Sequence, residues 1–295
     1  MKRNFLICCL GQKAYISLEK LLHNQSWLRD SLSVVIGKDN NVVNDYRTEI
    51  LELCTQFSVE TYLRENFSSY SKFDIVIAIG WRWLIDIDYS KLIVFHDSLL
   101  PRYRGFAPLV NAALNREPII GVTALLGHEE YDRGDILLQR EIRVEYPVEI
   151  NFLIKKVSIE YSEMILEIFE KLYQNIQFNT ITQNESDATY SVWLDDEDYF
   201  LDWCQPAVDI CNKITLLGYP YSHAKSMLNG QVVLIKSAEL ISEFKAERYH
   251  PGKVISINNG FPIVMGADGA LILKEVTDLS GKSILPLEKF RVRFC

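Results

Sequence analysis

Four apolar runs leave this chain little choice of architecture. FLICCL (5–10), LSVVIG (32–37), FDIVIAIG (73–80) and KLIVF (91–95) are short, rich in apolar residues and without a regular polar face. Strands buried on both sides belong to a parallel sheet covered by helices. The segments between them fit that plan. After Gly11, QKAYISLEKLL repeats apolar residues at helical spacing, and a second helix ends near Cys54. The expected fold is α/β: a Rossmann-like, mostly parallel sheet with helices on both faces. Such sheets bind ligands beyond the carboxyl ends of their strands. Trp81–Leu84, directly after FDIVIAIG, and His96, directly after KLIVF, fall on that edge.

Downstream, GVTALLGHEEYDRGDILLQREIRV (121–144) reads as two extended runs joined by a polar turn, and residues 151–173 as a long amphipathic helix. Residues 174–190 are polar and poor in core residues, which reads as a linker. Beyond them the texture changes. A helix, PAVDICNKITLL, precedes the short runs AKSML, QVVLIKSAEL, GKVISI, FPIVMG, ALILKEV and KFRVRF, separated by glycine-containing turns. Several short strands with regular turns predict a small barrel or sandwich, and Asn229-Gly230 is a hairpin signal. The expected division is 1–190, with the linker at about 174–190, and a C-terminal barrel domain over 191–295.

Composition narrows the partners. The formal net charge is -8 over 295 residues, and such a surface repels nucleic acid and anionic membrane. The apolar run Phe5–Leu10 is too short for a signal peptide, and no run approaches the ~18 apolar residues of a spanning helix. A cytoplasmic protein without a membrane partner is expected. The six cysteines show no paired metal spacing, so no metal is expected. Neither GxGxxG nor GxxxxGK[ST] occurs.

Chemistry concentrates in VFHDSLLPRYRG (94–105). His96 at a strand end is either a structural histidine or a base that accepts a proton near neutral pH. Asp132, in YDRGD, is either a turn former or a carboxylate that orients His96. Arg102, Tyr103 and Arg104 form either a solvated loop or a cradle for phosphates.

HDSLLPRYRG followed by GVTALLGHEEYDRGDIL resembles the folate-dependent formyltransferases. FLDW and then PAVDICNKITLLGYPYSHAKSMLNGQVVLIKSAEL resemble the small OB-like barrel that methionyl-tRNA and UDP-amino-arabinose formyltransferases carry. The resemblance implies N10-formyltetrahydrofolate as formyl donor and an amine as acceptor. It implies catalytic roles for His96 and Asp132. It implies a site for the pterin-like ring between Trp81, Arg82, Trp83 and Leu84 on one side and His128, Glu129, Glu130 and Tyr131 on the other.

The family's third catalytic residue is an asparagine two positions before the histidine, and here that position is Val94. Losing one oxyanion donor costs about 2.7–4 kcal/mol in the barrier. Three readings follow. Another donor serves, such as protonated His96, a backbone N–H or Asn111; or a different acyl or one-carbon group is transferred; or catalysis is lost and folate or sugar-nucleotide binding is kept. Formyl transfer ranks first of these. The acidic surface disfavours tRNA as acceptor. It leaves a small amine, a nucleotide-linked amino sugar whose phosphates meet Arg102, Tyr103 and Arg104. A homodimer stays open.

Overall fold

The protein is described here by a computed structural model that covers residues 3–28, 30–287 and 289–295. The chain divides into two compact units: 1–144 with 152–193, and 145–151 with 194–295.

The first unit is built on a seven-stranded sheet. In chain order its elements are β1 (Phe5–Cys9), α1 (Gly11–Asn24), β2 (Leu32–Ile36), α2 (Arg47–Gln56), β3 (Glu60–Leu63), β4 (Ile75–Ile79), β5 (Leu92–His96), β6 (Arg104–Gly105), α3 (Pro108–Leu114), β7 (Ile119–Leu126), β8 (Ile136–Arg143), α4 (Ile150–Gln174) and β9 (Tyr190–Ser191). The strand order is β3-β2-β1-β4-β5-β7-β8. The first five strands are parallel, β7 is antiparallel to β5, and β8 is antiparallel to β7. All five residues of β1 and of β2 are buried, as their unbroken apolar runs require. Cys8 and Cys9 are among them, and burial pushes the Cys8 thiol well above its ordinary range. These vicinal cysteines are core residues of a strand.

Alternation along β5 separates two environments. Phe95 faces α4, where its ring meets Tyr161 edge-on at 4.9 Å. Val94 and Leu92 face the other way, into an apolar cluster with Leu6, Cys8, Val35, Val76 and Ala78. Tyr62 of β3 and residues of irregular segments, Phe67, Tyr70, Trp81 and Ile87, pack against this cluster. His96 shares the Val94 face, two residues further along.

The second unit contains α5 (Ala207–Leu216) and the strands β10 (Ala224–Leu228), β11 (Gln231–Ile241), β12 (Val254–Asn258), β13 (Phe261–Met265) and β14 (Ala270–Thr277). They form one antiparallel sheet in the order β10-β11-β14-β13-β12. Asn229 and Gly230 join β10 to β11 with φ of 52° and 80°, the left-handed pair that a two-residue hairpin demands. The C-terminal residues close the sheet. Cys295 exchanges two backbone hydrogen bonds with Met227 at one edge (2.7 and 2.9 Å), while Phe294 N–H donates to Gly252 O at the other (2.8 Å). Gly252 has φ +78°, and a Cβ there would lie 1.9 Å from Phe294 O, so only glycine fits.

Candidate active site at the end of strand β5

His96 ends β5 and is 7% exposed. Its Nε2–H donates to the Tyr103 carbonyl at 2.8 Å. Its Nδ1 faces Asp132 Oδ1 at 3.4 Å. Both ring nitrogens therefore meet acceptors. A neutral ring donates to one of them, and a ring that has taken up a proton donates to both. This suits a base whose protonated form must be held in place.

Asp132 reaches this position by an indirect path. β7 is antiparallel to β5, with Thr123 opposite His96 and Leu126 opposite Ile93. The strand thus leads away from His96, and Gly127 N–H donates to Leu92 O (2.7 Å) at the far end of β5. Residues 127–132 return along the strand, past the level of Val94, to bring Asp132 back to His96. Asp132 itself is left-handed, φ 58°, and its Oδ2 accepts the Gly105 N–H at 2.8 Å. Gly134 packs so closely that a Cβ would lie 1.8 Å from Leu126 O.

The loop after His96 is clamped from several sides. Ser98 Oγ donates to Arg102 O (2.6 Å), Thr123 Oγ1 donates to Ser98 O (2.6 Å), and Gln139 Nε2 donates to Leu100 O (2.8 Å). β6 then pairs in parallel with β9. One short stretch, 103–105, therefore supplies both the carbonyl that holds His96 and the N–H that holds Asp132.

Arg104 is not open to a phosphate, contrary to the expectation of a phosphate cradle. It is 1% exposed. Its Nε and Nη2 donate to Gln183 Oε1 (3.1 and 2.8 Å), and its Nη1 and Nη2 donate to Glu185 (2.9 and 2.7 Å). Gln183 Nε2 in turn donates to Asp132 O (2.7 Å) and Gly134 O (2.8 Å). Residues 174–190, expected as a linker, belong to the first unit: Ile181 bridges Ile136, and Gln183 is buried. Most of the stretch is exposed, and Gln183 is the side chain in it that serves buried hydrogen bonds. Arg102 and Tyr103 both turn to Glu117. The Arg102 guanidinium pairs with its carboxylate, the Tyr103 hydroxyl donates to it at 2.7 Å, and these two contacts hold the Glu117 carboxyl below its usual range. Arg102 stays half exposed.

Val94 lies between two apolar groups, the cluster described above and a second one of Leu100, Leu125 and Ile136. It offers no donor. Asn111 does not replace it, because its amide N–H groups donate to Ala107 O (2.9 Å) and Val192 O (3.1 Å).

The two segments expected around a flat ring differ in texture. In the first, Arg82 pairs with the buried Asp39 at 2.6 Å. Trp83 packs onto Gly37, lies under the Arg64 guanidinium at 4.2 Å and meets Trp81 edge-on at 4.8 Å. Leu84 is exposed. In the second, His128, Glu129, Glu130 and Tyr131 are all exposed, and Arg133 pins Glu130 at 3.0 Å. Phe106 lies 6.4 Å from Tyr131 and 6.0 Å from Trp193, so exposed aromatic rings border the Asp132 loop.

A charged group behind His96 escaped the sequence reading. Asp97 accepts from the Lys13 ammonium and from the Tyr161 hydroxyl. Burial raises the Asp97 carboxyl, but Lys13 and the two hydrogen bonds outweigh it and hold it below its ordinary value. Lys13 lies in α1, Asp97 follows β5 and Tyr161 lies in α4, so sequence spacing gives no sign of the trio. The same holds for Gln183, whose polar surroundings pointed to solvent. Among the described residues no three potential metal ligands cluster, and no helix is long and apolar enough to cross a membrane.

Comparison with known proteins finds relatives over most of the chain. A formyl transferase family model matches residues 70–167, and one for the formyl transferase C-terminal domain matches 194–293. A methionyl-tRNA formyltransferase of Agathobacter rectalis is 30% identical over 256 residues, 82% of this chain and 81% of its own length. Among solved structures, WlaRD, a sugar 3N-formyl transferase crystallised with dTDP and 5-N-formyl-THF, superposes with a TM-score of 0.69 at 18% identity, covering 95% of this chain and 98% of that one. The N-formyltransferase of Helicobacter canadensis, in complex with folinic acid and dTDP-3-aminofucose, gives 0.68 at 18% identity, with 92% and 99% covered. At that identity the two structures speak for the fold.

Proposed function

The chain belongs to the formyl transferase family, and from that premise we propose that it moves a formyl group from N10-formyltetrahydrofolate to the amine of a small acceptor, a nucleotide-linked amino sugar. The observation that carries this reading is the His96–Asp132 pair at the carboxyl end of β5. The folate supplies an electrophilic formyl carbon. His96 takes the proton that the attacking amine must lose, and Asp132 holds the resulting imidazolium. Trp81, at the head of the segment after β4, packs against the same apolar cluster as Val94 on the face where His96 lies, and the 127–132 loop ends with Asp132 beside His96. The backbone groups and rings of these two segments suit a flat heterocycle.

The net charge of -8 supports a small acceptor over tRNA. So do the dTDP and the dTDP-3-aminofucose held by two sugar N-formyltransferase structures of this fold. The methionyl-tRNA formyltransferase relative favours tRNA as the second reading. The test offers purified protein the formyl donor with a pool of amino-sugar nucleotides and, separately, with methionyl-tRNA. Products are read by mass spectrometry. A formylated sugar that disappears with His96→Ala supports the proposal. Formylation of the tRNA alone overturns the choice of acceptor. Donor binding without any product leaves a binding protein.

A further inference from the structure

In the first unit two buried side-chain polar atoms lack a hydrogen-bond partner among the described residues: Ser17 Oγ on α1 and Trp81 Nε1. A hydroxyl rotates and accepts as well as donates, so Ser17 has several ways to be satisfied. The indole N–H only donates, and it needs an acceptor. Buried donors in native structures are almost always paired, and an orphan at a ligand edge points to a partner that arrives with the ligand.

Three observations connect this donor with the end of β5. Trp81 follows β4, whose Ile79 pairs with Phe95, so the backbone that carries it leaves the sheet beside the level where His96 ends β5. Trp81 and Val94 pack against one and the same cluster, on the face His96 shares. Val94 carries no donor, and the amide of Asn111 is occupied.

We propose that the indole N–H of Trp81 is the donor to the oxygen of the transferred formyl group, in place of a side-chain amide at position 94. In the transfer the amine lone pair forms the new C–N bond, and the carbonyl π pair moves to oxygen. That charge is where the Trp81 N–H acts. The pair returns as the bond to N10 of the folate breaks. The amine's proton passes to His96 and on to N10, so formylamine and tetrahydrofolate leave. The proposal rests on the formyl-transfer reading and extends it to the residue that stabilises the developing charge.

The test compares wild type, Trp81→Phe, Val94→Asn and the double variant. Trp81→Phe keeps an aromatic ring and removes a buried donor without a partner. Its thermal midpoint should stay at or above that of the wild type, while kcat falls about 100-fold with little change in the KM of the donor. Val94→Asn in the Trp81→Phe background should restore at least tenfold of that loss. A residue that merely packs would lower stability and activity together.

A second readout needs no turnover. Labelled with 15N-indole, the five tryptophans give five N–H signals, and Trp81→Phe identifies one of them. Without acceptor, 10-formyl-5,8-dideazafolate should move that signal downfield, and 5,8-dideazafolate, which lacks the formyl group, should not. A Trp81→Phe rate within threefold of wild type, or a signal that responds equally to both ligands, overturns the proposal and leaves the formyl-transfer reading standing. If the wild type forms no product but the signal still separates the two ligands, the transfer reading fails and the Trp81 contact holds.

Discussion

His96 and Asp132 lie 3.4 Å apart, although the strand that leads to Asp132 runs away from His96. The returning loop removes that separation, and the Gly105 N–H holds the second carboxylate oxygen, so Asp132 presents one oxygen to the ring. The pairing is tertiary, and its consequences are open to measurement.

The first concerns the pair itself. His96→Ala and Asp132→Asn should each lower kcat by ~100-fold or more, the range that a positioned general base contributes. Steady-state formylation assays check this. An unchanged rate in either variant would remove that residue from the chemistry.

Val94→Asn alone should lower stability and leave turnover flat. The site lies between two apolar clusters, and burying an unpaired amide costs about 1–3 kcal/mol. Thermal unfolding and kcat are the measurements. A tenfold gain in rate would mean that a missing donor limits the enzyme.

Gln183→Met should destabilise by about 3 kcal/mol, because it strips a buried guanidinium of an acceptor. It should also lower kcat by loosening the Asp132 loop. The double variant Gln183→Met/Arg104→Met should recover stability, since both partners become apolar, without recovering activity. Denaturant melts beside kinetics separate the two effects.

Asp97 sets a pH dependence. Its carboxyl lies below the ordinary 3.8 in the folded protein. Ionisation therefore favours the fold: the contribution is complete above that value and is lost as pH falls through the lower, folded one. Unfolding midpoints of the wild type should drop steeply below about pH 4, and Asp97→Asn should flatten the curve. The variant leaves Lys13 without its carboxylate, so it should be less stable by about 3 kcal/mol at pH 7.

Arg102 is the remaining basic candidate for the acceptor's phosphates. Arg102→Ala should raise the acceptor's KM about tenfold, the equivalent of 1.4 kcal/mol, while the donor's KM stays put. An unchanged acceptor KM would confine Arg102 to its pairing with Glu117. Raising salt should weaken the acceptor only slightly, in contrast to the steep dependence of a tRNA complex.

The layout of the sheet was legible because β1, β2, β4 and β5 are buried on both faces and therefore read as apolar runs without alternation. β3 was missed: ETYL is half exposed on the sheet edge, so it shows no such run. His96 and Asp132 were found through a motif resemblance, since 36 residues of sequence say nothing of a 3.4 Å contact. Arg104 was misread because a basic residue in a polar loop suggests exposure. Its acceptors, Gln183 and Glu185, stand about 80 positions away. The stretch that carries them is exposed along most of its length, as its polarity suggests, and composition does not reveal that Gln183 within it is satisfied by protein rather than water.

The returning loop also works as a ruler. From Leu92 to His96 the strand advances four steps, ~13 Å at the usual rise. From Gly127, beside Leu92, to Asp132 there are five steps, which reach at most ~17 Å when fully stretched. Removing one residue cuts that reach to ~14 Å, nearly all of it needed for the straight run and almost none left for lifting off the sheet. The length of the segment between Gly127 and Asp132 therefore gauges whether the carboxylate arrives at the histidine at all.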